Sequence, residues 1–244
     1  MARMPRLEIP GQVHWVGLRG NNAQTVFACE QDYADALAFA RAAQAAHPVE
    51  VLGFCLLPTA MHWLLRPQQP GALSLWVQQW ARRFVRSINR RHGRTGTLFE
   101  GRFRSGILQA PSHLLPCLWA LDAEPVRLGL AAQAADWPYS SAAWYAGQGA
   151  ALGADYGQQM AALLRTPEEI WQLGNTPFER EAQYAQGLQQ AYTPAWMAAL
   201  QAGWAVGDAD FLAQLQADAG RRVQAAARGR PRKAQALIQP KKAV

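Results

Sequence analysis

Residues 49–66, VEVLGFCLLPTAMHWLLR, decide the fold. VEVLGFCLL (49–57) reads as one strand, Pro58-Thr59-Ala60 as a turn, and MHWLLR (61–66) as a second strand, an antiparallel pair. Upstream, EQDYADALAFARAAQAA (30–46) is Ala-rich with apolar residues at helical spacing, and Pro48 ends that helix. QVHWVGL (12–18) reads as a strand followed by the turn RGNN. Downstream, Leu75, Val77, Trp80, Phe84, Val85 and Ile88 mark a long helix over 72–91, which GRTGT (93–97) breaks. A strand is expected within 98–109, then a helix over 113–122 capped by Ser112. The order β-α-β-β-α-β-α is an α+β, ferredoxin-like split βαβ sandwich with an added helix.

WPYSS (137–141) reads as a closing turn and aromatic clamp. Beyond it the pattern is helical, over roughly 157–164, 167–173, 177–191, 194–202 and 208–219. The expected organisation is a main domain over 1–150, a helical extension over 151–220 and a basic, disordered tail over 221–244. Trp171, Tyr184, Trp196 and Trp204 would pack the extension onto the main domain.

Composition excludes several classes. Half of the 244 residues are hydrophobic and 17% are charged, enough for a core and contrary to whole-chain disorder. No uncharged apolar run reaches the roughly 18 residues a membrane span needs. The first residues, MARMPRLEIPGQ, do not resemble a secretory signal, and Cys29, Cys55 and Cys117 are too scattered for a disulfide framework. The expectation is a reducing, cytoplasmic protein.

The net charge of +7 is unevenly placed. Residues 82–104 hold eight Arg and one Glu, and residues 221–244 hold eight Lys or Arg and no acid; the rest holds 8 basic and 16 acidic residues. Two concentrated basic patches on an otherwise acidic chain point to a polyanion, most simply nucleic acid. The plainer alternative is a solvated face and a solubility tail.

Three motifs bear on chemistry. His62 sits on a strand, where a lone His is commonly a packed residue and otherwise a metal ligand. In RRFVRSINRRHGRTGTLFEGRFR (82–104), Arg82, Arg83, Arg86, Arg90 and Arg91 gather on helical faces, and Arg94, Arg102 and Arg104 extend the patch. Arginine's planar fork suits phosphate, while the interleaved Phe84, Phe99 and Phe103 suit core packing better than base stacking. RGRPRK (228–233) resembles an AT-hook, in which Arg230 and Arg232, flanked by Arg228 and Lys233, would lie in a narrow A·T minor groove; otherwise it is a generic basic tail.

Taken together, HWVGLRGNN, LLPTAMHWLL, RRFVRSINRRHGRTGTLFEGRFRS, EPVRLGL, WPYSS, LGNTPFERE and RGRPRK resemble the REP-associated tyrosine transposases, a branch of the single-tyrosine HUH family. The resemblance implies a domain that binds hairpin or single-stranded DNA, as monomer or homodimer. In active members it also implies a tyrosine that attacks a phosphodiester, with a divalent metal (Mg or Mn) held by two histidines. The chain departs from that pattern at both centres. Where the family has Pro-Asn-His-x-His, it reads Pro58-Thr59-Ala60-Met61-His62, so only the second histidine remains. Five residues before Pro125 of Glu124-Pro125-Val126, where the tyrosine usually lies, stands Ala120. Glu124 takes the place of the Asn or Gln that completes the metal site.

Alanine has no oxygen with which to form a phosphotyrosine ester, and His62 with Glu124 makes an incomplete metal site. The expectation is therefore a DNA-binding protein on a transposase scaffold with cleavage lost or impaired and no catalytic residue in the family position. The alternatives are an active transposase using a displaced tyrosine, or a protein-interaction remnant.

Overall fold

The structure, a computed structural model, describes residues 5–153 and 155–225. Four strands, β1 (Val13–Arg19), β2 (Val49–Leu57), β3 (Ala60–Pro67) and β4 (Arg104–Leu108), form one sheet in the order β2-β3-β1-β4. Every neighbouring pair is antiparallel. Helices α1 (Glu30–Ala46) and α2 (Ala72–Arg91) complete the split βαβ order expected from the sequence.

The helix starts show why these segments fold locally. At the start of α1 the Asp32 carboxylate accepts the Cys29 N–H at 3.1 Å, the reciprocal half of a capping box. Gly71 offers α2 no side-chain cap. Glu8, far away in sequence, supplies one: it accepts the Leu73 N–H at 3.0 Å and the Ser74 hydroxyl at 2.6 Å.

Period-two alternation divides the sheet between two cores. Val16, Leu18, Met61, Trp63 and Leu65 face α1 and α2. Val13, Trp15, Leu52, Cys55 and Leu64 face the opposite way, onto α3 (Ala110–Asp122). Ser112 does not cap α3, as the sequence had indicated. The helix begins earlier, with Pro111 in its first turn and Gln109 at the cap position, and the Ser112 hydroxyl sits 2.7 Å from His113 Nδ1.

The helices that follow are α4 (Glu124–Arg127), α5 (Ala142–Tyr145), α6 (Tyr156–Leu163), α7 (Glu168–Trp171), α8 (Pro177–Gln189), α9 (Met197–Gln201) and α10 (Ala209–Asp218). Tyr184 of α8 and Met197 and Leu200 of α9 lie in the same core as α3 and the sheet. Trp196 packs against that core, whereas Trp171 is exposed. At Gly106 of β4 an added Cβ would lie 2.5 Å from the Leu200 carbonyl, so the missing side chain is what lets α9 approach the strand.

Both outer strands are covered. WPYSS clamps β2: the Trp137 indole N–H donates to the Leu56 carbonyl at 3.0 Å, and the Leu56 N–H donates to Tyr139 at 2.8 Å. Beside β4, the Val206 N–H donates to Ile107 at 2.8 Å. An unpaired strand edge invites pairing with other chains, and these short segments occupy that role. Packing continues into the span read as tail: Val223 is buried and its carbonyl accepts the Ala205 N–H at 2.8 Å. Arg228, Arg230, Arg232 and Lys233, with the AT-hook resemblance they carry, lie outside the described residues.

Candidate nucleic-acid interface

Helix α2 has two unlike sides. Leu73, Trp76, Val77, Trp80, Phe84 and Ile88 form its buried side. At 3.6 residues per turn, Arg82, Arg83, Arg86 and Arg90 fall on the outward side, and all four are exposed. None of the four forms a salt bridge among the described residues. Arg91 stands apart from them. Its place on the wheel turns it toward α1, where it pairs with the buried Asp32 and, at 2.5 Å, with Asp35. Those two carboxylates hold the Arg91 guanidinium's pKa above its ordinary value. Arg91 is thus a clasp between the two helices.

Arg94 donates to the Gln24 side chain at 2.7 Å, and Arg102 and Arg104 are exposed. The aromatic residues between them are structural. Phe84 and Phe99 are buried, and Phe103 is covered by the Arg6 guanidinium at 3.8 Å.

On the sheet's other face, cross-strand register aligns Cys55, His62, Gly17 and Arg104 in one row, so these positions share a face. The Trp15 indole lies across Gly17, where an added Cβ would come within 2.3 Å of the ring, and stacks on His62 at 5.3 Å. A cavity of about 50 Å³ is lined there by Trp15, His62, Ala120, Glu124, Arg127 and Thr193, among others. The fold therefore brings together His62, Ala120 and Glu124. Ala60 is not among the residues that line it.

The electrostatics of this cavity are muted. Burial lowers the His62 pKa to about 4, so the ring is neutral at pH 7, and its Nδ1 is buried without a hydrogen-bond partner among the described residues. The Arg127 guanidinium grips Glu124 with two hydrogen bonds, one of them at 3.1 Å. Mg²⁺ is held by free carboxylate oxygens together with water, but here the one carboxylate is engaged by Arg127 and the other ligand is an imidazole, so the residues present do not fit that ion.

At the end of α3, next in sequence to the cavity-lining Leu121, Asp122 is fully buried. It accepts the Tyr184 hydroxyl at 2.7 Å and the Ser141 hydroxyl at 2.9 Å. Burial raises its pKa to about 7 against the lowering effect of those bonds.

Five of the six tyrosines are built into the core. The Tyr145 hydroxyl donates to Leu52, that of Tyr156 to Ser140 and that of Tyr184 to Asp122, while Tyr33 and Tyr139 stack on each other at 3.6 Å. Tyr192 is 73% exposed. It lines a larger pocket of about 460 Å³ that shares Ala120, Arg127 and Thr193 with the His62 cavity.

Sequence reasoning missed Trp15, Arg127 and Thr193 as parts of this site. Arg127 carried a readable signal, its three-residue spacing from Glu124. Thr193 had none, since only tertiary packing brings it to α3.

A solved structure of a REP-associated tyrosine transposase bound to a REP hairpin resembles this chain at a TM-score of 0.53 and 17% identity, over 61% of this chain and 87% of that one. The likeness is one of fold. No protein-family model matches the chain, and no curated protein sequence matches it.

Proposed function

We propose that the protein binds hairpin or single-stranded DNA on a transposase-like scaffold without forming a tyrosyl–DNA bond. The observation that carries this reading is the outward row of Arg82, Arg83, Arg86 and Arg90, four guanidinium groups with no carboxylate partner among the described residues. Guanidinium forks suit phosphate oxygens, and their solvent exposure leaves them available. The fold likeness to a hairpin-bound transposase supports the same substrate class. Arg94, Arg102 and Arg104 extend the surface around the end of the sheet toward the face that holds His62.

Cleavage by a tyrosine needs an oxygen nucleophile placed in line with phosphorus, and charge neutralisation at the phosphate. Ala120 has no oxygen, and the cavity beside it offers a neutral imidazole and a spent carboxylate. The test is to incubate the purified full chain with a DNA hairpin carrying a single-stranded extension, with Mg²⁺ or Mn²⁺. Retarded, non-covalent complex with no adduct on a denaturing gel is expected; absence of binding would overturn the proposal. If the scaffold places both groups correctly, Ala60→His with Ala120→Tyr should recover some adduct where either change alone does not, because nucleophile and metal act as a unit.

A second reading is favoured by one observation. Tyr192 is the exposed tyrosine beside Ala120, so an adduct formed by the unmodified protein should map to it and disappear in Tyr192→Phe.

A further inference from the structure

We propose that Cys29, Asp32 and His92 form a binding site for one zinc-class divalent cation that clips the start of α1 to the end of α2. A Cys29 Sγ, an Asp32 carboxylate oxygen and a His92 ring nitrogen lie within 4.8 Å of one another. They come from two separate elements: Cys29 precedes α1, Asp32 is in its first turn, and His92 follows α2.

The donor set selects the ion. Thiolate sulfur, imidazole nitrogen and one carboxylate oxygen suit Zn²⁺ or Co²⁺ rather than Mg²⁺ or Ca²⁺, which take oxygen shells. Zinc bonds of roughly 2.0–2.3 Å in a tetrahedron set ligand atoms somewhat more than 3 Å apart. His92 Nε2 stands 2.9 Å from Asp32 Oδ2, so a few tenths of an ångström of separation admits the ion between them, while the Cys29 Sγ, within 4.8 Å of both, moves inward to complete the set. Asp32 is buried, while Cys29 is exposed and His92 partly so, which leaves a side open for entry and for a water as fourth ligand.

The surroundings hold the carboxylate in place. Asp32 is oriented by the N–H groups of Ala28 and Cys29, at 2.8 and 3.1 Å, and by Arg91. Such outer partners fix the direction of a metal ligand. The charges also balance. Asp32 and Asp35 face the single guanidinium of Arg91, which leaves one carboxylate in excess. Together with the Cys29 thiolate it matches a divalent cation. Binding displaces the thiol proton to solvent. Cys55 and Cys117, the other cysteines, are buried and free, so neither competes for the ion.

A bound ion here would fasten the two helices beneath the arginine row and the turn that leads to Arg94. The competing outcome is that the cluster is only a helix cap and ion pair. Titration of the metal-free full chain with Co²⁺ separates the two. One equivalent should produce a thiolate-to-cobalt charge-transfer band together with tetrahedral d–d bands. Cys29→Ser should abolish the charge-transfer band, and His92→Gln should weaken binding by at least the ~10-fold seen even for outer-shell losses. Both variants lie at exposed or partly exposed positions, and their circular dichroism should match the parent. Zn²⁺ should raise the Tm of the parent and not of Cys29→Ser. Absence of a charge-transfer band, or one that persists in Cys29→Ser, would overturn the proposal. No DNA enters this experiment, so its outcome is independent of the DNA-binding reading.

Discussion

On the α2 side of the sheet, Arg82, Arg83, Arg86 and Arg90 stand in solvent without carboxylate partners among the described residues; on the α3 side, Glu124 and Arg127 satisfy each other and His62 stays uncharged. The two regions belong to one fold and share β1 and β3, yet they carry charge in opposite ways. An unpartnered cation in water keeps its field available to a polyanion. A guanidinium–carboxylate pair at the mouth of a 50 Å³ cavity presents little net field and little room. The proposed DNA-binding role rests on this contrast, with the α2 side as the proposed contact surface.

The largest effect should come from removing the platform under the arginines. Trp80 is fully buried and its indole N–H donates to the Ala36 carbonyl at 2.9 Å. Trp80→Ala should cost about 3–5 kcal/mol in denaturant unfolding. A loss below about 1 kcal/mol would mean that α1 and α2 do not depend on this contact.

Next is the buried carboxyl at the end of α3. The Asp122 pKa is raised from 3.8 to about 7 in the folded state. Folding therefore favours the protonated form, and this contribution is present in full below about pH 4 and lost as pH rises through about 7. The loss is on the order of 4 kcal/mol. Asp122→Asn keeps an acceptor for the Tyr184 hydroxyl, so it should flatten the stability–pH curve in that window. An unchanged slope would place the titration elsewhere.

A smaller pair of changes sharpens the division along α2 itself. Arg91→Ala leaves Asp32 buried beside fewer partners and should cost about 1–3 kcal/mol with little change in the salt dependence of hairpin binding. Arg86→Ala should do the reverse, within about 0.5 kcal/mol in stability but with a shallower salt slope. If both behave alike, the distinction between clasp and outward row fails. The smallest effect belongs to Glu124→Gln: its partner is 57% exposed, so less than about 1 kcal/mol is expected in thermal unfolding.

The secondary structure was legible because local signals agreed. The predicted bounds of α1, β2 and α2 match the observed ones, since Pro48, the Pro58 turn and the Gly93 break each act within a few residues. Ser112 misled because Pro111, which suits a first turn, lets α3 begin before it. The cover of β4 by Val206 was invisible, since a single bridge leaves no periodicity. The meeting of His62, Ala120 and Glu124 was legible only through the family resemblance. The outward arginines were readable from spacing. Arg91 could not be sorted from them by its run of like charge, because its partners lie 56 and 59 residues away on α1.

The most direct measurement is the salt dependence of hairpin binding by the protein and by the triple variant Arg83→Glu, Arg86→Glu, Arg90→Glu. Each phosphate contact contributes about 0.7–0.9 to the slope of log affinity against log salt concentration. The variant should bind more weakly, with a slope shallower by roughly 2–3 units. An unchanged slope with intact folding would show that the outward face of α2 does not hold DNA.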